Sequence, residues 1–173
     1  MIIDFKDVKI EKLSAIHNTD PFDCGDPDIN DFLQNDALKY QQENLAVSFI
    51  FIYNEEIIGF FCCSGDSIRL KISEKKKDEL GEKEIPEFPA IKIGRLGRDI
   101  NFKEQKLGEK ILKWALGYAR DISNRLGIRY MTLDSYPGKV EMYERFGFKR
   151  NLHDQYSEKE HVSMRFDIHN PKG

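Results

Sequence analysis

This sequence of 173 residues has few cysteines, no long apolar run and no excess of one charge. Its three cysteines show no CxxC spacing, so they indicate neither a disulfide framework nor a zinc site. No apolar run approaches the roughly 20 residues that a membrane-spanning helix needs. The first residues are charged and contain no apolar core, so no signal peptide is expected. These absences favour a cytoplasmic protein with reduced thiols and no membrane partner.

Charged side chains are abundant but balanced, with 27 basic against 30 acidic residues. This balance argues against a protein that grips nucleic acid with its whole surface, although it is compatible with a local basic patch. The four histidines are scattered without ligand spacing, so no metal site is expected. Hydrophobic residues make up 40% of the chain, which is enough for a packed core. The length predicts one domain over residues 1–173.

Hydrophobic spacing predicts the main elements of an α/β protein. Apolar residues recur at helical spacing in two long stretches, 27–43 and 105–126. Shorter helices are expected at 73–80 and 140–146. Alternating or β-branched runs predict strands at 2–10, 46–53, 57–64, 90–100, 130–134 and 161–168. Because hairpins and crossovers alternate in this order, we expect a mixed sheet with helices on both faces.

The most informative stretch places a glycine-containing strand directly before the long helix at 105–126. Gly94 and Gly97 within the strand predict a bulge or a close approach by another backbone. A helix N-terminus carries unpaired N–H groups and a partial positive charge, and therefore suits a pyrophosphate. Gly108 lets a ligand approach the backbone closely, and the lysines of this loop add positive charge. The loop thus predicts a phosphate-binding site.

This loop, residues 103–108 (KEQKLG), resembles the acetyl-CoA pyrophosphate loop of the GNAT acetyltransferase superfamily, [RQ]-x-x-G-x-[GA]. Lys103 stands at the Arg/Gln position and Gly108 at the final small position. Lys106 replaces the usual glycine, which leaves its N–H in place but adds a side chain. A second register that starts at Gln105 makes Gly108 the first glycine and puts Lys110 last. The first register places Gly108 just before the apolar helix face.

Two flanking segments strengthen the resemblance, and together with the loop they span about a third of the chain. Residues 93–99 (IGRLGRD) resemble the bulged central strand of the superfamily, and residues 142–148 (MYERFGF) resemble its YexxGF segment. The resemblance implies a mixed, mainly antiparallel sheet with a bulged central strand. It also implies acetyl-CoA as co-substrate, with the pantetheine arm paired to strand groups near Leu96 and Arg98. The implied cofactor-binding residues are Leu96, Gly97, Arg98, Lys103, Glu104, Gln105, Lys106, Leu107, Gly108, Glu109 and Lys110.

The resemblance further implies direct attack of a primary amine on the thioester. A strand N–H near Leu96 is the candidate donor to the oxyanion. Tyr143 is the candidate acid for the departing thiolate, the alternative being an aromatic core residue. Asp134 and Ser135, at the end of a predicted strand, are candidates for substrate contacts or for simple turn residues. No general base is identified from the sequence.

Residues 22–33 (FDCGDPDINDFL) resemble a narrower GNAT subgroup that includes toxins of toxin–antitoxin pairs. Those toxins acetylate the amino group of aminoacyl-tRNA, and other members have an unknown acceptor. The main prediction is therefore acetyl transfer to an unidentified amine, carried by a small molecule, a protein or tRNA. The alternatives are the toxin activity, with an antitoxin partner, and an acyl-CoA-binding module without catalysis. The resemblance also allows a homodimer.

Overall fold

The computed structural model describes residues 3–81 and 84–171, and within them seven strands form one mixed sheet. The strands are β1 (Lys9–Lys12), β2 (Val47–Tyr53), β3 (Glu56–Ile68), β4 (Phe88–Arg98), β5 (Tyr130–Ser135), β6 (Lys149–Arg150) and β7 (Val162–Asp167). Their order across the sheet is β1-β2-β3-β4-β5-β7-β6. The β1–β2, β2–β3, β5–β7 and β6–β7 pairs are antiparallel, and β4–β5 is parallel. The expectation of a mixed, mainly antiparallel sheet is confirmed.

The helices are α1 (Pro27–Asp31), α2 (Ala37–Gln42), α3 (Ile72–Lys77), α4 (Leu107–Ser123) and α5 (Val140–Arg145). A π-helical turn, Phe32–Asp36, joins α1 to α2, so the helix predicted at 27–43 is present with a π-bulge inside it. Short 3₁₀ turns lie at Phe5–Asp7, Ile100–Gln105, Pro137–Lys139 and Asp154–Tyr156. None of the described helices is both long enough and apolar enough to cross a membrane.

Two elements differ from the sequence prediction. The first strand covers only Lys9–Lys12, because Asp4 caps the Lys6 N–H and turns the preceding residues into a 3₁₀ helix; residue 2 of the predicted strand lies outside the described residues. The two-residue strand β6 was not predicted, since so short a segment carries no alternation.

By its contacts the chain divides into two compact units, residues 1–64 with 94–115 and residues 65–93 with 116–173. The prediction of one domain over the whole chain stays a prediction. In the first unit, Phe49 and Phe61 pair across β2 and β3, and their rings lie 5.2 and 5.7 Å from that of Trp114 on α4. On the opposite face, Phe60 packs 6.4 Å from the Phe32 ring. Helices therefore cover both faces of this part of the sheet.

The second unit is organised around a buried ion-pair network. Arg165 on β7 donates to Glu74 Oε1 at 2.7 Å and to Asp78 Oδ2 at 2.8 Å. All three side chains are at most 2% exposed. Lys149 on β6 lies 3.2 Å from Asp78 Oδ1. Glu74 and Asp78 therefore attach the α3 segment to β6 and β7. Apolar side chains pack beside this network: Ile68, Leu70, Leu80, Phe88, Ala90 and Tyr130.

Candidate active site

The carboxyl end of β4 supplies the first part of the candidate site. The parallel ladder between β4 and β5 ends at Ile93–Leu133, and β4 continues to Arg98. Asp99 N–H then donates to the Ile58 carbonyl of β3 at 3.0 Å. Because backbone groups alternate along a strand, the N–H groups of Leu96 and Arg98 point away from β3. Both predicted arm-binding residues thus present amides to the same edge of the strand.

The glycines of β4 are explained by side-chain packing. A Cβ at Gly97 would lie 3.0 Å from Phe60 and 3.3 Å from Phe22. A Cβ at Gly94 would lie 3.1 Å from the Cys62 sulfur. Neither glycine has a positive φ. A Cβ at either glycine would therefore crowd side chains of the first unit, and the Gly97 carbonyl also lies 3.2 Å from the position of a Cβ built at Gly59.

The loop between β4 and α4 is a short 3₁₀ helix that ends in a left-handed residue. Ile100–Gln105 form the 3₁₀ turn, and Lys106 has φ 49° and ψ 31°. Helix α4 then begins at Leu107, whose side chain is 1% exposed and fixes the helix start in the core. A Cβ added at Gly108 would meet no atom within 4 Å, so the first turn of α4 is open there. The Glu109 and Lys110 N–H groups donate to the Lys106 carbonyl, which leaves the N–H groups of Leu107 and Gly108 as the candidate donors to a phosphate.

The left-handed conformation of Lys106 explains why the GNAT loop usually has glycine at this position. Glycine adopts positive φ without steric cost, whereas a residue with a Cβ pays about 1 kcal/mol or more. Lys106 keeps the turn, and therefore keeps its amide in place, but it stores this strain.

Replacing Lys106 by glycine is expected to raise the free energy of unfolding by about 0.5–1 kcal/mol, because the strain is removed. The matched control is Lys103→Gly, three residues earlier in the same turn, where φ is not positive. Since glycine there only adds freedom to the unfolded chain, Lys103→Gly should lower the free energy of unfolding by a similar amount. Urea melts of the ligand-free proteins measure both changes. Changes of the same sign in both variants would refute the strain at Lys106.

Two predicted cofactor contacts are engaged with the N-terminal segment. Gln105 Oε1 accepts from the Ile3 N–H at 3.0 Å, and Lys110 Nζ lies 3.4 Å from the Ile3 carbonyl. Lys103 and Lys106 are exposed, as is Glu104, and Glu109 is half-buried. The side chains of Gln105 and Lys110 therefore brace the loop from behind, and Lys103 and Lys106 are its exposed cations.

Asp99, which the sequence reasoning missed, joins the loop to the N-terminal motif at 22–33. Its Oδ1 accepts from the Asn101 N–H at 2.9 Å and caps the 3₁₀ turn. Its Oδ2 accepts from the Asp23 N–H at 3.1 Å, and the Ile100 N–H donates to the Asp23 carbonyl at 2.8 Å. The carboxylate is nearly buried, with Asp99 4% exposed. The motif that suggested a toxin subgroup thus holds the entry to the pyrophosphate loop.

The motif is itself locked by a local network around Asp23. Its Oδ1 accepts from the Gly25 N–H at 2.8 Å and from Asn30 Nδ2 at 2.7 Å. These hydrogen bonds, the one from Gly25 first, hold the pKa of Asp23 below its usual value. Asp26 accepts from the Asp28 N–H as the N-cap of α1, as its position before Pro27 predicts. These hydrogen bonds explain the spacing of the motif, because Gly25 and Asn30 must both reach the Asp23 carboxylate.

Asp99→Ala should lower the free energy of unfolding by about 1–3 kcal/mol, because it leaves two backbone donors without their acceptor. The control is Asp4→Ala, which removes an exposed cap with one hydrogen bond, to the Lys6 N–H. Its expected cost is about 0.5 kcal/mol. Thermal and urea unfolding provide the comparison. If the two variants were equally stable, Asp99 would not be the junction described above.

Tyr143 lies in the last turn of α5, and Gly147 ends this helix. Gly147 N–H donates to the Glu144 carbonyl at 2.9 Å, and Phe148 N–H donates to the Tyr143 carbonyl at 3.1 Å. This Schellman motif needs the φ of 96° that Gly147 adopts. Phe148 then packs edge-on against the Tyr143 ring at 5.7 Å. Gly147 and Phe148, the GF pair of the YexxGF segment, thus fix the position of the tyrosine ring.

The chemistry of Tyr143 suits a proton donor. Burial of the ring raises the pKa of its phenol above the ordinary value, so the group is protonated at neutral pH. Its hydroxyl makes no hydrogen bond to any other residue in the described ranges. The ring packs against Phe148, as the core alternative expects, and the role of Tyr143 as the acid stays a prediction.

Asp134 and Ser135 end β5 in different environments. Asp134 Oδ2 lies 2.6 Å from Lys92 Nζ and lines a polar cavity of about 340 Å³ in the second unit. Ser135 is buried, and its hydroxyl donates to the carbonyl of Tyr136 at 2.9 Å. Asp134 is therefore placed at a cavity, whereas the hydroxyl of Ser135 is used within the turn.

The cysteines are free thiols whose pKa values are raised, which disfavours the nucleophilic thiolate. Burial raises the pKa of Cys63 to about 12, and burial also raises the pKa of Cys24 and of Cys62. A thiol protonated at neutral pH is a poor nucleophile. Across residues 3–81 and 84–171, no group of three or more His, Cys, Asp or Glu side chains is arranged to hold a metal ion.

Comparison with known proteins gives no matching family model, but it finds several solved structures with the same fold. AtaT complexed with acetyl-methionyl-tRNAfMet is 21% identical, with a TM-score of 0.80 over 93% of this chain and 95% of that one. A tyrosine-to-phenylalanine mutant of KacT is 16% identical, with a TM-score of 0.80 over 94% and 95%. A similar mutant of the toxin AtaT, bound to the C-terminus of the antitoxin AtaR and acetyl-CoA, is 18% identical, with a TM-score of 0.74 over 94% of each chain. The chain therefore has the GNAT-like fold of AtaT and KacT, as its three motifs predict.

Proposed function

We propose that this chain transfers the acetyl group of acetyl-CoA to the amino group of an aminoacyl-tRNA in the cytoplasm. The observation that carries the proposal is the open amide turn at the start of α4, formed by left-handed Lys106 and by Gly108. The main prediction from the sequence left the acceptor unidentified. The shared fold with AtaT, which was solved with acetyl-methionyl-tRNAfMet, favours the tRNA alternative.

Acetyl-CoA fits the residues of the first unit. The N–H groups of Leu107 and Gly108 at the helix start suit its pyrophosphate, and Lys103 and Lys106 supply positive charge beside them. The outward amides of Leu96 and Arg98 suit the amide-bearing pantetheine arm. Of the predicted cofactor residues, Gln105 and Lys110 then act through the loop that they brace. Substitution of Lys103 or Lys106 should therefore lower the affinity for acetyl-CoA, whereas substitution of Gln105 or Lys110 should lower the stability of the loop.

The acceptor chemistry agrees with the absence of an identified base. A lysine-type amine has a pKa of about 10.4, so less than about 1% of it is neutral at pH 7.5 and a base must remove its proton. An α-amino group has a pKa near 7.7–8.0, so a substantial fraction is already neutral. Since only the neutral amine attacks, an α-amine esterified to tRNA makes the smaller demand on the protein. The nitrogen forms its bond to the thioester carbon, and a strand N–H near Leu96 stabilises the oxyanion.

Collapse of the tetrahedral intermediate breaks the carbon–sulfur bond, and the thiolate of CoA must gain a proton. We assign this proton to Tyr143, whose phenol is protonated at neutral pH. The phenol regains a proton from the ammonium that the attack produced, by way of solvent, so that the reaction balances. Asp134 is proposed as a polar contact of the acceptor, and Ser135 as a turn residue.

We also propose a protein antitoxin as a partner. AtaT was solved with the C-terminus of the antitoxin AtaR and with DNA in the AtaT–AtaR complex. Acetylation of charged tRNA removes an amine that translation requires, so an unopposed enzyme is expected to stop growth. A homodimer stays a prediction from the resemblance.

The test is a thiol-release assay with acetyl-CoA and a panel of amines. Charged tRNA should release CoA and gain acetyl groups, and the same tRNA without its amino acid should give no release. Release with lysine peptides or polyamines but not with charged tRNA would overturn the tRNA acceptor and keep the transferase. Binding of acetyl-CoA without release by any amine would favour the non-catalytic module.

A further inference from the structure

We propose that the second unit binds the single-stranded 3′ end of tRNA, with bases stacked on the aromatic pair Tyr136–His161 and on Tyr156. Lys139 and Lys159 contact the adjoining phosphates. This inference rests on the proposed function, because it names where that substrate is held.

The aromatic pair continues the β5–β7 ladder beyond its last registered residues. Ser135 pairs with Val162, so Tyr136 and His161 follow as the next opposing positions. Their ring centroids are 4.7 Å apart, at 59°. Tyr136 is 42% exposed. An exposed aromatic ring braced by a second ring is a preorganised surface for a nucleobase.

A lysine accompanies the exposed Tyr136 and the half-buried Tyr156 at the same spacing. Lys139 Nζ lies 5.5 Å from the Tyr136 ring centroid, and Lys159 Nζ lies 5.3 Å from that of Tyr156. The Tyr156 hydroxyl accepts from the Arg69 N–H at 3.1 Å, which fixes the ring. Each tyrosine therefore has a cation over its ring, three residues later in the chain. Stacking faces interleaved with cations are typical of single-strand binding.

The polar cavity adjoins this platform. Asp134 and Ser163, a registered pair one step inward from the ladder's end, line the cavity together with Tyr156 and Lys159. Its volume of about 340 Å³ is that of a small-ligand pocket. A terminal nucleotide stacked on the platform would place its ribose and ester at the cavity, where carboxylate and hydroxyl groups face its polar atoms.

The charge balance of this segment favours binding of RNA by base stacking over binding by phosphate contacts. Residues 136–161 hold five basic and five acidic side chains, so this segment carries no net charge. A duplex offers it little, because duplex bases are already stacked and only the phosphates are exposed. Unpaired 3′ nucleotides offer bases, and stacking of one base on an aromatic residue typically changes affinity by about tenfold.

The experiment measures fluorescence anisotropy of a labelled, uncharged RNA minihelix with a four-nucleotide 3′ tail, without acetyl-CoA. Tyr136→Ala should weaken binding about tenfold, and Tyr136→Phe, which keeps the ring, should not. Removal of the tail should weaken binding to the wild type by at least the same factor. Lys139→Ala should lower the slope of log K against log salt by about 0.7, and Lys12→Ala, an exposed lysine of β1, should leave it unchanged.

Equal binding of the tailed RNA by the wild type and Tyr136→Ala would overturn the platform, as would equal binding of tailed and blunt RNA. Failure of the proposed function is distinguishable from these outcomes. Tail-dependent binding through Tyr136 without acetylation of charged tRNA would keep the platform and remove the reaction. Acetylation of charged tRNA with the same KM in Tyr136→Ala would keep the reaction and remove the platform.

Discussion

Tyr143→Phe is expected to lower the turnover of acetyl transfer by about 10²-fold, because general acid catalysis typically contributes that much or more. The substitution removes only the hydroxyl and leaves the ring packed on Phe148. Acetyl-CoA affinity should therefore stay within about twofold, since the proposed pyrophosphate contacts lie in the loop before α4. Steady-state thiol release and calorimetry with acetyl-CoA measure the two quantities.

The matched control for Tyr143→Phe is Tyr130→Phe, which should change stability and leave turnover unchanged. The Tyr130 hydroxyl donates to Asp78 at 3.0 Å in the buried network. Its loss should lower the free energy of unfolding by about 1–2 kcal/mol and leave turnover unchanged. Tyr143→Phe should not change stability, because its hydroxyl makes no hydrogen bond within the described residues.

The pH profile gives a second check on Tyr143. The acid must be protonated to act, and burial places its pKa above the ordinary tyrosine value of 10.0. Turnover should therefore show no descending limb between neutral pH and about 10 that belongs to this group. Wild-type turnover in Tyr143→Phe would remove Tyr143 from the mechanism.

Arg165→Met has the largest expected effect on stability, a loss of about 3–5 kcal/mol. The substitution leaves buried Glu74 without its cation and Asp78 with only the half-buried Lys149, and breaking a buried ion pair from one side carries this cost. Since native domains are stable by only about 5–15 kcal/mol, the second unit should unfold at much lower urea concentration. Urea titration followed by circular dichroism measures the change.

The control is Arg150→Met on β6, which removes an exposed pair with Glu144 and should cost at most about 1 kcal/mol. The pH dependence separates lost charge pairing from lost packing. Burial alone would raise the pKa of Asp78, but the hydrogen bond and charge of Arg165 outweigh it and hold the pKa below 3.8. A lowered folded-state pKa stabilises above 3.8, and this contribution is lost as the pH falls through the folded value. The deficit of Arg165→Met should therefore be largest at neutral pH and shrink in acid; a constant deficit would indicate packing alone.

The strands, the helices and the loop before α4 could be predicted from the sequence because their signals are local. Helical spacing defines the long helix α4, and β-branched runs define β2 and β3. The YexxGF segment is equally local, since a helix end, a glycine at φ 96° and one ring contact lie within six residues.

The contacts that organise the site are long-range and carried no local signal. Asp99 reads as an ordinary turn residue until the fold brings Asp23, 76 positions earlier, to its second oxygen. Arg165 is separated from Glu74 by 91 positions, and the hydrophobic alternation of β7 does not predict a buried cation. The Ile3 contacts of Gln105 and Lys110 likewise had no local signal, because the fold brings the N-terminal segment to this loop over more than 100 positions. Lys106 was the reverse case, since a departure from the motif proved to keep the left-handed turn that the motif encodes.

Calorimetric titration with acetyl-CoA, compared with acetyl-pantetheine, tests most directly whether the amides at the start of α4 bind a pyrophosphate. Acetyl-pantetheine has the same thioester and arm but no pyrophosphate. We expect saturable binding of acetyl-CoA with a Kd below about 1 mM and at least tenfold weaker binding of acetyl-pantetheine. No uptake of acetyl-CoA at millimolar concentration, or equal affinity for the two compounds, would contradict the assignment of this loop.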